Sequence, residues 1–106
     1  MRLSPNEIEV FTRVLSYALK EGDGSLYLYG SRTDDSLKGG DIDLLLVINS
    51  CEKAREFQKE RASLLSQFKK HLGERRIDFS ILSMTQLSED VFYANVFRTA
   101  VLLNKW

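Results

Sequence analysis

Asp41 and Asp43 open the apolar run at 44–48 with one residue between them. On a strand, residues so spaced point to the same side. Two carboxylates held together are costly unless a cation lies between them, so the pair suits a hard divalent ion. Upstream stands Tyr29-Gly30-Ser31-Arg32, followed by a polar stretch that closes on Gly39-Gly40. Gly30 lets the backbone turn sharply and approach a ligand, and Ser31 offers a hydroxyl and a backbone N–H. Arg32 can add a charge-assisted bond to a phosphate oxygen. A divalent metal site beside a phosphate-binding turn is the simplest reading of these residues.

A third acid, Asp78, lies in the alternating segment Arg76-Ile77-Asp78-Phe79-Ser80-Ile81-Leu82. If that strand neighbours the one beginning at Asp41, Asp78 projects toward the same metals. It could then receive the proton of an attacking hydroxyl or hold a second ion. Magnesium binds through one or two carboxylates and leaves positions for water and substrate phosphates. The parts together describe nucleotidyl transfer. A nucleoside triphosphate is held at the turn, an acceptor hydroxyl attacks its α-phosphate in line, and pyrophosphate leaves. Positioning and charge neutralisation carry such a reaction.

The elements that must position these groups are legible in outline. Ser4-Pro5-Asn6-Glu7 is a helix start with a capping box and proline at the first helical position. Ile8, Phe11, Val14, Leu15, Ala18 and Leu19 continue at helical period, with Gly22 as the stop. Residues 26–29 read as a strand, and 42–48 as a central strand covered on both faces, because alternation is lost after Asp43. Ala54, Phe57, Leu64, Leu65, Phe68 and Leu72 mark one stripe of a long helix over 51–72, ended by Gly73. The strand at 76–82 places Ile77, Phe79 and Ile81 on one face and Asp78 with Ser80 on the other. From Thr85 a helix is expected to about Ala100, then a short edge strand at 101–103. Alternation of helices and strands makes the fold α/β (α+β): a small mixed sheet flanked by helices, in one domain over 1–106.

Composition narrows the function. Fifteen basic residues balance fifteen acidic ones, so no overall field draws a long polyanion and strong nucleic-acid binding is not expected. The single Cys51 excludes an internal disulfide or a thiolate cluster. No apolar run reaches membrane-spanning length, no signal-peptide order opens the chain, and the expected compartment is the cytoplasm. His71, beside Lys69 and Lys70, reads as a cation at a helix C-terminus, and Asp34 and Asp35 as solvated loop acids. Phe92, Tyr93, Phe97 and Trp106 give the last segment more aromatic surface than a tail needs, either as core or as a partner interface.

The run from Tyr29-Gly30-Ser31-Arg32 through Gly39-Gly40-Asp41-Ile42-Asp43-Leu44, with Ile77-Asp78-Phe79, resembles the signature of the DNA polymerase β nucleotidyltransferase superfamily. The small size resembles its minimal nucleotidyltransferase branch. The resemblance implies Gly30 and Ser31 on the triphosphate, with Arg32 and Gly40 beside them, and Asp41, Asp43 and Asp78 as the metal triad. Gly40 stands where many members have serine before the first acid. It further implies ATP as substrate and Mg2+, two ions, as cofactor. Members of this branch are often antitoxins paired with an all-helical HEPN ribonuclease, and some adenylylate a tyrosine of that toxin. The expected function is therefore Mg2+-dependent AMP transfer to a hydroxyl of a HEPN-type partner. The alternatives are neutralisation of a toxin by occlusion, or a small-molecule nucleotidyltransferase subunit. Homo- or hetero-oligomerisation is open, and a chain without a helical lobe invites a second protein to complete the site.

Overall fold

Ser4 caps the first helix as the sequence requires. Its hydroxyl accepts from the Glu7 N–H at 3.1 Å, while Glu7 Oε1 accepts from the Ser4 N–H at 2.9 Å. The computed structural model describes residues 3–30 and 41–106. In chain order these form α1 (Pro5–Ser16), β1 (Gly24–Tyr29), β2 (Ile42–Ile48), α2 (Cys51–Lys59), α3 (Arg61–Leu72), β3 (Ile77–Ser83), α4 (Met84–Glu89), α5 (Val91–Thr99) and β4 (Val101–Lys105).

The strands make one mixed sheet in the order β3-β2-β1-β4. β1 runs antiparallel to both β2 and β4, and β2 runs parallel to β3. Central β2 is covered on both faces: Leu44, Leu45 and Leu46 are each 0% exposed. This is why its sequence stops alternating. One face packs against α1, α2 and α3 through a core that includes Phe11, Phe68 and Phe79. The Phe68 ring meets Phe11 and Phe79 edge-on, with centroids 5.0 and 5.3 Å apart. The other face carries a smaller cluster in which Tyr29, Leu45 and Val47 meet Leu87 of α4 and Tyr93 of α5. The expected small mixed sheet flanked by helices is the observed architecture.

Three expected boundaries are corrected. The first helix ends at Ser16, well before Gly22. Ala18 and Leu19 both donate to the Leu15 carbonyl, and Asp23 Oδ2 takes the Lys20 N–H at 2.8 Å. An aspartate offering its side chain to the backbone closes a turn where the helix could have run on. Ala18 is therefore exposed and only Leu19 stays buried.

The expected long helix over 51–72 is two helices, broken at Glu60, whose φ of −96° and ψ of 3° are not helical. A straight helix of that length would run about 33 Å, past a strand of about 23 Å. The break keeps both pieces on the sheet's flank. From either side of it, Gln58 Nε2 donates to the Ile81 carbonyl at 2.8 Å and Arg61 Nε donates to the Phe79 carbonyl. These bonds occupy backbone acceptors of the edge strand β3.

The expected helix from 85 to 100 is likewise two. Ser83 begins α4 with a second capping box, and Asp90 restarts the chain as α5 by accepting from the N–H groups of Phe92 and Tyr93. The closing strand is present and longer than expected.

Candidate active site

Register brings the acids together. Tyr29 of β1 pairs with Asp43 of β2, and Asp43 pairs in turn with Asp78 of β3. One transverse row thus runs tyrosine, aspartate, aspartate across three strands, on the face that carries α4 and α5. Asp41 lies two residues before Asp43, just ahead of the strand, and is exposed; Asp43 is half-buried and Asp78 exposed. Burial raises the Asp43 carboxyl above the ordinary aspartate range, and the negative charges of Asp78 and Asp41 push it further. Burial is the larger cause of the shift and like charge the smaller.

Gly30 completes the near side of this group. It follows β1 in the left-handed region at φ 77°, and a Cβ placed on it would run into Asp43 Oδ2. Glycine is needed here twice, for the backbone angle and for the close approach to the acid. Ser31, Arg32 and Gly40, with Gly39, Asp34 and Asp35, lie outside the described residues.

Behind the acids, Tyr29 is only 8% exposed. Burial raises its hydroxyl, a hydrogen bond with Ser80 pulls it down, and the charges of Asp78 and Asp43 add to the rise. Ser80 Oγ lies 2.9 Å from the Tyr93 hydroxyl, so a hydroxyl chain from β1 through β3 to α5 floors the site. The sequence reading has Tyr29 directly before the glycine turn. It gave Ser80 no part in the site and read Tyr93 only as core or partner interface, although Ser80 is two residues from Asp78 and shares its face.

It also missed two cations. A shallow pocket of about 320 Å³ on the β3 side of the acids is lined by Asp41, Lys69, Arg76, Ile77 and Asp78. Lys69 arrives from the last turn of α3, so only tertiary structure connects it to the acids. Arg76 sits directly before β3, and the proximity of a basic residue to Asp78 was a readable signal. Cys51 does not belong here. Its thiol is lowered by hydrogen bonds with Ser83 and Thr85, but it lies at the opposite end of the strands.

The donor set fits a hard divalent cation: three carboxylates, one of them half-buried beside the charges of the other two, and open to solvent at Asp41 and Asp78. Among the described residues no three His, Cys, Asp or Glu side chains are grouped closely enough to hold an ion by themselves. A magnesium ion here would complete its shell from water and phosphate oxygens, as it commonly does. Among those residues, too, no helix is long and apolar enough to cross a membrane.

Crowded carboxylates beside a glycine turn, on the central strand of a mixed sheet, are an arrangement suited to phosphate chemistry. A search of curated proteins finds no match to the chain. The family model described as nucleotidyltransferase domain matches residues 9–100, from within α1 to just past the end of α5. The chain belongs to the nucleotidyltransferase domain family, and nucleotidyl transfer is the activity that the family and the acid row share.

Proposed function

We propose that the protein transfers AMP from ATP to a tyrosine hydroxyl of a partner protein, with Asp41, Asp43 and Asp78 holding magnesium. The partner in this reading is an all-helical HEPN ribonuclease toxin, silenced by the modification. The observation that carries the proposal is the pairing of Asp43 with Asp78 across β2 and β3, with the Gly30 backbone against Asp43. Nucleotidyltransferases generally use a nucleoside triphosphate with a divalent metal. When bound, magnesium would neutralise triphosphate charge and favour departure of pyrophosphate.

The chain's own residues supply the rest. Gly30 receives the triphosphate on the β1 side, and Ser31 and Arg32, which follow it in the sequence, are proposed to contact the same phosphates. Asp78, exposed on the edge strand β3, takes the proton of the acceptor hydroxyl in this reading. The buried Tyr29 ring excludes water behind Asp43, where lower dielectric strengthens each charge interaction.

One further observation favours a second reading, in which the protein neutralises its partner by covering it. Val91 and Phe92 at the start of α5 are 78% and 63% exposed, and α5 contributes no buried residue. Apolar side chains so displayed suit a protein interface. Intact-mass measurement of a co-expressed HEPN partner separates the two readings. Addition of AMP that Asp43→Asn abolishes supports transfer. Tight association with an unmodified partner, indifferent to that substitution, supports occlusion and ends the transfer reading.

A further inference from the structure

Lys69 and Arg76 stand in the pocket beside Asp41 and Asp78, and neither makes an ion pair among the described residues. Each has a reason to stay in place. Lys69 is half-buried on the last turn of α3, where its carbonyl accepts from Gly73 N at 2.8 Å. Arg76 belongs to a segment tied down at both ends. The buried Glu7 holds the neighbouring Arg75 side chain, and the Arg76 carbonyl accepts from Ile42 N at 2.9 Å. A guanidinium on an anchored backbone loses less freedom on binding than one on a mobile loop.

The position of these cations decides what they can meet. Gly30 touches Asp43 from the β1 side of the acid row, whereas the pocket opens on the β3 side. If the triphosphate lies at the glycine turn, the cations face the group that approaches from the other flank. We infer that the acceptor is a peptide whose target hydroxyl is flanked by acidic residues, which Lys69 and Arg76 engage while the hydroxyl reaches Asp78. This rests on the nucleotidyl-transfer reading above and adds the acceptor's chemical class.

A pocket of about 320 Å³ holds a side chain or two. The chain's fifteen basic and fifteen acidic residues leave no excess of positive charge to follow a nucleic-acid backbone. A peptide with local acidity matches that scale better than a polyanion does. In the transfer step the tyrosine oxygen forms a bond to the α-phosphorus and the bond from that phosphorus to the bridging oxygen breaks. Pyrophosphate leaves with the electron pair, and the hydroxyl proton passes to Asp78 and then to solvent. Lys69 and Arg76 take no part in bond making; they set which hydroxyl arrives.

The test uses the full chain and three fluorescein-labelled probes: a tyrosine peptide flanked by glutamates, the same peptide flanked by glutamines, and a short oligoribonucleotide. Anisotropy titrations report binding without turnover, and parallel incubations with magnesium and α-labelled ATP report transfer. Two partly exposed ion pairs are worth together on the order of a tenfold difference in affinity. The glutamate peptide should bind about tenfold more tightly than the glutamine peptide. The double variant Lys69→Gln with Arg76→Gln should shrink that difference to within about twofold. Equal binding of the two peptides overturns the inference, as does tighter binding of the oligoribonucleotide or a preference that survives the double substitution. Should transfer occur with no regard to the flanking acids, the inference falls and the transfer reading stands. Should the acidic peptide bind through these cations and never be labelled, the transfer reading falls and the cation site stands.

Discussion

Gly30→Ala separates fold from chemistry, because its cost divides into two parts and a neighbour in kind isolates one of them. Gly30 and Gly22 both occupy the left-handed region, at φ 77° and 86°. Alanine there costs each about 1–2 kcal/mol, equivalent to a fall in melting temperature of roughly 5–15 °C for a domain of about a hundred residues. The surroundings differ. A Cβ at Gly22 meets nothing within 4 Å, whereas one at Gly30 collides with Asp43 Oδ2. The Asp43 carboxylate must therefore be pushed off its position from the β1 side, or the end of β1 must retreat. Misplacement of a reacting group by about 1 Å can cost on the order of 100-fold in rate. The expected result is similar thermal destabilisation of the two variants. Transfer of label from α-labelled ATP should fall about 100-fold for Gly30→Ala and stay within about threefold of wild type for Gly22→Ala. Equal activity of the two variants would refute the contact between Gly30 and Asp43 as a functional requirement.

Other substitutions probe separate parts of the account. The folded-state pKa of Asp43 is raised, so the native state binds the extra proton. Its stabilising contribution is full below the unfolded value near 3.8 and is lost as pH rises through the folded value. Metal-free Asp43→Asn should therefore melt higher than wild type at pH 7, lose that advantage below about pH 4, and no longer gain stability from added magnesium. Differential scanning fluorimetry across pH, with and without the ion, reads all three effects. Tyr93→Phe removes the hydroxyl from the bond to Ser80 and should lower stability by about 1 kcal/mol, measured by urea unfolding. Phe68→Ala deletes a 0% exposed ring that meets both Phe11 and Phe79. It should cost about 3–5 kcal/mol, seen in the same titration, enough to threaten the fold outright.

Much of this molecule is legible in the chain because local chemistry and tertiary demand agree. The capping box at Ser4 and Glu7, the unbroken apolar run of β2 and the alternation of β3 each have one cheap solution, and the structure adopts it. The break at Glu60 was hidden because the apolar stripe passes through it without a glycine or proline. What bends the chain is the edge of β3, a tertiary demand met by Gln58 and Arg61. The restart at Asp90 was readable, since Ser83 with Gln86 spells a capping box and Asp90 a second cap. At the site, spacing along the chain placed Asp41 and Asp43 on one side. The direct pairing of Asp43 with Asp78, the approach of Gly30 and the arrival of Lys69 depend on strand order and register, which spacing does not encode. The expectations for Ser31, Arg32 and Gly40 rest on sequence alone.

The most direct test of the central claim follows the two ends of the nucleotide. The protein, magnesium and a tyrosine-bearing acceptor are incubated with ATP labelled at the α-phosphate in one tube and at the γ-phosphate in another, alongside Asp43→Asn. The account predicts α-label on the acceptor, γ-label released as pyrophosphate, and neither event with the variant. Transfer of the γ-label, or α-transfer that persists undiminished in Asp43→Asn, would contradict it.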